Sequence, residues 1–136
     1  MKKTITGIFL FVVVVIAVLA YLASIIFCES VTYQKGSLEY YLLTPQIIKE
    51  LPIQRLNNAD YFYSSADGSK PSISSVEFFY KTTGKEISDI LSNYFIMNKY
   101  LQLKNGSYKK DFQEITVEYK KEKGKTTAKI IVLEYL

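Results

Sequence analysis

Ser107-Tyr108-Lys109-Lys110 places a serine three residues before a lysine, the S-x-x-K spacing with which a lysine assists serine acylation. Lys81-Thr82-Thr83-Gly84 approaches the companion K-T-G signature but carries one threonine too many. Glu114, Glu118, Glu122 and Glu134 offer paired carboxylates of the kind that cleave glycosidic bonds. Each pattern also has a plainer reading. Enzymes that use S-x-x-K open a helix with it, in a domain much larger than this one, whereas Ser107 directly follows the hairpin signal Asn105-Gly106. Glu114 and Glu118 share the polar face of a strand with Thr116, and Thr83 is explained as a helix cap. No catalytic residue is assigned, and the chain is expected not to be an enzyme.

Histidine is absent, which removes Ser-His-Asp and Cys-His nucleophiles and the common zinc sites. Asp67-Gly68 stands without the acidic pattern of a calcium loop, and there is no glycine-rich phosphate loop. No metal and no cofactor are expected. The net charge of +4 includes Lys2 and Lys3, so the remainder of the chain is too mildly basic to argue for nucleic acid.

A binding role is the better candidate. Ser64 to Ser72 is long for a hairpin connection and mixes Ser, Gly, Asp and Pro, following Tyr61-Phe62-Tyr63. Tyrosine supplies large contact area at modest entropic cost, and serine and glycine adapt to a partner. Tyr61, Tyr63, Asp67, Ser69 and Lys70 are therefore the candidate partner-binding residues. Lys120, Lys121, Lys123 and Lys125 form a basic tip that either meets anionic headgroups or simply keeps a hairpin soluble. The second reading is favoured.

The elements that must position these residues follow from periodicity. Val31 to Leu43 reads as a strand broken near Gly36. Thr44-Pro45 opens a short helix with Ile47, Ile48 and Leu51 on its apolar stripe, ended by Pro52, and Arg55 to Asp60 reads as a polar connector. Strands follow at Tyr61–Tyr63 and Ile73–Lys81, the latter with Val76, Phe78 and Tyr80 on one face. Thr83 and Glu86 form a capping box, and behind it Ile87, Ile90, Leu91, Tyr94 and Phe95 repeat at the helical period, with Asn98 as terminator. Tyr100–Leu103, Phe112–Tyr119 and Ala128–Leu136 complete a meander with a charged turn at Lys120–Lys125. The apolar middle of the last strand, Ile130 to Leu133, predicts a central strand covered on both sides. The fold class is α+β: an antiparallel sheet packed against one main helix and a second short helix.

Ahead of this domain, Ile5 to Phe27 is an apolar run without a charge, 23 residues that as a helix would rise about 34 Å, enough to cross a bilayer core of about 30 Å. Three readings compete: a transmembrane signal-anchor, a secretory signal cut after Ala20, and a lipoprotein signal with Cys28 acylated. Length favours the anchor. Apolarity runs on past Ala20, and Phe27 is bulky where a small residue should precede an acylated cysteine. Lys2 and Lys3 should stay cytoplasmic, so residues 1–28 are a single-pass anchor and residues 29–136 a domain outside it. The Met-Lys-Lys start and the Lys-, Ile- and Tyr-rich composition suggest a bacterium, which makes that side the periplasm or cell exterior.

Three function classes remain. The first is a membrane-anchored binding protein of the cell envelope, of immunity, inhibitor or accessory type, with a protein partner. The second is a regulator acting through its helix, where Ala17, Ala20 and Ser24 share one face. The third is a carboxylate hydrolase of envelope polymers, which requires two acidic side chains converging in a pocket.

Overall fold

Alternating strands leave one face of a sheet apolar, and the amphipathic segments between them supply its cover. A computed structural model describes residues 2–26, 29–53, 58–81, 83–122 and 125–135. Among them the order is α1 (Lys2–Ile26), β1 (Ser30–Tyr33), α2 (Leu38–Leu43), α3 (Gln46–Lys49), β2 (Asp60–Ser64), β3 (Ser72–Tyr80), α4 (Gly84–Met97), β4 (Leu101–Gln102), β5 (Tyr108–Lys110), β6 (Gln113–Glu122) and β7 (Lys125–Glu134). The seven strands form one antiparallel sheet in the order β1-β2-β3-β7-β6-β5-β4. The chain is thus an α+β domain behind one long apolar helix.

Register fixes the faces. Tyr61 pairs with Val76, Val76 with Ile130, and Ile130 with Val117, while Val132 lies between Ser74 and Ile115. This face is the core, and Tyr40, Ile48, Ile87, Leu91 and Phe95 of the helices pack on it. At the N-terminus of α4 the Glu86 amide donates to Thr83 Oγ1 (3.3 Å), and at its end the Asn98 amide reaches the Tyr94 carbonyl, as the capping signals predict. Ile90 is exposed rather than buried.

Other expectations are corrected. Leu38–Leu43 is a helix, not a continuation of the first strand. Gly36, at φ +92°, turns the chain, and Ser37 then caps the new helix by accepting from the Tyr40 amide (3.2 Å). Thr44 does not cap α3: it ends α2, and its Oγ1 is hydrogen-bonded to the Tyr33 hydroxyl at 3.1 Å. Phe112–Tyr119 lies in a longer hairpin, because Asp111 (φ +51°) turns an additional strand, β5, into β6. The charged turn is shorter than predicted: Lys120 and Lys121 already pair within β6, and Lys123 and Gly124 lie outside the described residues. Arg55 to Asn57 of the polar connector lie outside them too.

β7 is central, between β3 and β6, yet the helices cover only one of its faces. On the other, Ile131 and Leu133 are half-buried beside Phe62 and Ile73, and Phe79 is exposed. α1 projects from the domain with its apolar side chains outward from Ile8 to Leu19. Only its last turns dock: Ile25 is buried, and the Tyr21 hydroxyl donates to Glu39 Oε1 (3.3 Å).

Candidate functional site

Where α2 meets α3, the chain passes over the end of the sheet at which β3 and β6 begin and β2 and β7 finish. A groove of about 350 Å³ opens there, lined by Leu42, Thr44, Tyr63, Ser72, Gln113 and Glu134 among others. A second cleft of about 260 Å³ adjoins it through the shared Gln46 and Gln113, and adds Glu50, Tyr100 and Lys110. Register explains the polar floor. Ser72, Ser74, Gln113 and Glu134 occupy the same alternation as Val76, Ile115 and Val132, so they point to the helical side, past the edge of the apolar core.

These groups are wired together. Gln113 Nε2 donates to Glu134 Oε1 at 2.9 Å, and the Tyr100 hydroxyl donates to Gln113 Oε1, which fixes the amide. Gln46 Nε2 donates to Glu50 Oε1 across one turn. The Tyr94 hydroxyl donates to the Ile47 carbonyl (3.1 Å), holding α4 to α3 beneath the cleft. Lys110 Nζ donates to the Asn98 carbonyl (3.1 Å) and lies 5.5 Å from the centre of the Tyr100 ring. Burial raises the Tyr100 phenol above its ordinary pKa, with Glu134 and Asp111 adding to it; burial raises Tyr94 likewise, helped by Glu50 and Tyr100. Both stay protonated donors at neutral pH. The groove therefore offers carboxylates, amides, hydroxyls and one ammonium, a set suited to hydrogen-bonding an extended polar segment.

The Ser65–Pro71 loop borders this end of the sheet. Asp67 and Lys70 form an isolated bridge, the Lys70 amide donates to the Asp67 carbonyl (3.0 Å), and Gly68 takes φ +58°. Of the predicted binding residues, Asp67, Ser69 and Lys70 are exposed on this turn and Tyr63 is half-buried in the groove wall. Tyr61 is elsewhere. It is 1% exposed, stacked on Tyr33 (centroids 5.9 Å apart) and edge-on to Tyr40 (5.1 Å). Its ring is core, and no surface reaches it. Sequence reasoning weighed Glu134 only as a hydrolytic carboxylate and did not place it, Gln113, Ser72 or Thr44 in a binding groove. The available signal was polar residues at core-facing strand positions, which a packed sheet otherwise avoids.

The chemical motifs separate. Ser107 and Lys110 stand on opposite sides of their strand: Ser107 Oγ donates to Asn105 Oδ1 (2.9 Å) and Glu114 Oε1 (2.8 Å), while Lys110 turns to Asn98. Glu77 and Glu118 flank Lys129 in one cross-strand row on the open face, and Glu134 lies on the other. Glu77, Glu114, Glu118 and Glu134 do not converge in one pocket. Among the described residues no three potential metal-ligating side chains cluster. In α1, Ser24 Oγ donates to the Tyr21 carbonyl of its own helix (2.7 Å).

No protein-family model, curated protein or solved structure matches this chain.

Proposed function

We propose that this chain is a single-pass, membrane-anchored binding protein of the bacterial envelope that works without catalysis. Its N-terminus is cytoplasmic, and residues 29–136 form an outward domain that engages a protein partner as an immunity, inhibitor or accessory factor. Anchorage is supported by Ile8–Ile25, the one helix among the described residues long and apolar enough to cross a membrane, whose side chains from Ile8 to Leu19 face away from the domain. The observation that carries the binding role is the pre-wired polar groove around Gln113 and Glu134, with the Asp67–Lys70 turn at its border. Side chains already fixed by hydrogen bonds lose little freedom when a segment docks, which favours affinity.

The test is site-specific photo-crosslinking in native membranes, with the probe at Ser69 or Gln46 and a control probe at exposed Lys121. A discrete protein adduct at the first two positions, lost in a Glu134→Lys variant, is expected. Adducts equal to those at Lys121, or unaffected by the Glu134 change, would refute the assignment. The mass of the membrane-extracted chain reads whether residues 1–28 are retained, trimmed at Ala20 or acylated at Cys28.

A further inference from the structure

Five exposed apolar and aromatic side chains share one end of the domain, and it is the end that receives α1. Ser30 pairs with Ser64, Ser64 with Ile73, Ser72 with Glu134 and Glu134 with Gln113, so these residues form a row across the sheet. The chain enters from α1 at this row, where the Glu29 carbonyl accepts from the Ser65 amide (3.0 Å). Just beyond the row lie Phe112, 71% exposed, and Tyr135, whose amide donates to the Phe112 carbonyl. Beside it runs α2, whose Leu38, Tyr41 and Leu42 follow an i, i+3, i+4 spacing and all face outward, Tyr41 at 63% exposure. The opposite face of this six-residue helix buries Tyr40. Two apolar faces on so short a helix are unexplained by the domain's own core.

We propose that this end of the domain lies in the interfacial layer of the bilayer that α1 crosses, with Leu38, Tyr41, Leu42, Phe112 and Tyr135 seated among the lipid headgroups. The inference rests on the anchor reading above. Its occupant is set by geometry. Tyr21 belongs to the apolar span, one helical turn before Ile25, and its hydroxyl holds Glu39 of α2. When α1 crosses a bilayer, α2 sits at the depth of the last turns of the span, so its outward stripe continues α1's lipid-facing surface. Tyrosines with a buried ring and a wet hydroxyl favour this layer, and Lys49, whose Nζ holds the Tyr41 carbonyl at 2.9 Å, adds a cation at headgroup level. The basic Lys120–Lys121 tip is at the far end of ten-residue β6, about 30 Å away, and does not share this contact.

The experiment uses the full chain, with Cys28→Ser and single cysteines at Tyr41, Phe112 or Lys121, each carrying an environment-sensitive fluorophore, in phosphatidylethanolamine–phosphatidylglycerol vesicles. Labels at 41 and 112 should blue-shift and be quenched by spin-labelled lipids several-fold more than the label at 121. If the chain floats with the vesicles while 41 and 112 behave like 121, the inference fails and the anchor reading stands. A blue shift without lipid quenching places the rim against protein, a second copy included, and also overturns it. Loss of the whole chain from the vesicles overturns both.

Discussion

Among the described residues the buried Tyr61 hydroxyl has no hydrogen-bond partner, and its removal should stabilise the protein. Leaving such a group unpaired costs roughly 1–3 kcal/mol, and the Tyr61→Phe change keeps the ring and its packing against Tyr33 and Tyr40. The oxygen also makes its own van der Waals attraction to the atoms around it, which the change forfeits, so the expected gain is about 1 kcal/mol. For a domain of this size that raises Tm by roughly 4–8 °C. By contrast, Tyr61→Ala empties the space between two rings and should cost about 3–5 kcal/mol, much of the margin of a small domain. The assay is urea unfolding of the full chain in micelles, read by far-UV circular dichroism, with equal m-values required for comparison. Alkaline pH supplies a second reading. Burial, with Tyr40 and Tyr33 nearby, pushes this phenol from its ordinary value of 10.0 to about 12. A raised phenol pKa means that the fold keeps the proton after the unfolded chain has lost it. Its contribution to stability is therefore complete below pH 10 and disappears as pH rises towards 12. Tyr61→Phe should flatten that part of the decline. A variant destabilised by about 1 kcal/mol or more would show that the hydroxyl has a partner, and an unchanged alkaline slope would show that the fold does not hold its proton; either result refutes the reasoning.

Ser107→Ala should destabilise by about 1 kcal/mol in the same assay, because Glu114 loses the hydroxyl donor while Asn105 Oδ1 keeps the Ser107 amide; in the unaltered chain, covalent labelling of Ser107 by acylating reagents should be absent. Thr83→Ala removes the acceptor for the Glu86 amide and should cost about 1 kcal/mol, which thermal unfolding will read. Truncation after Ile130 deletes residues that pair with both β3 and β6, so the shortened chain should lose its cooperative transition; a retained sigmoidal melt would contradict the central placement of β7.

The parts legible in the sequence were those where several local signals agree. At α4 the Thr83 cap, the Ile87-Leu91-Phe95 stripe and Asn98 all specify one helix, and it forms between them. Leu38–Leu43 was opaque because six residues of Leu, Glu and Tyr satisfy either period; Ser37 behind a glycine turn decides for helix. The two-sided cover predicted for β7 failed for a related reason. A run of apolar residues records that a strand is central, while cover depends on how many helices the chain can spare, and here α2, α3 and α4 all go to one side. At the site, Tyr61 looked like surface because it adjoins a polar loop, and strand alternation instead turns it into the core. Gln113 and Glu134 were hidden by distance: 21 residues separate them, and only the β6–β7 register joins them.

If the groove takes a partner as proposed, its position constrains how that partner reaches it. Strands β6 and β7 run about 30 Å from the lysine-rich hairpin to the row containing Gln113 and Glu134. With α1 across a bilayer, the hairpin stands farthest from lipid and the groove lies at the membrane end, beside α2. A large soluble protein approaching from bulk solvent meets the hairpin first, where Lys120 and Lys121 keep the exposed tip soluble and discourage pairing. A segment entering the groove must instead run close to the headgroups, as the flank of another membrane-held chain would. Two partners confined to one bilayer meet at an effective concentration set by the membrane rather than by solution, so a shallow groove with few apolar contacts can be sufficient. Binding measured with both chains in one bilayer should therefore exceed binding of the same segment offered free in solution, and equal occupancy in the two formats would place the contact surface elsewhere on the domain.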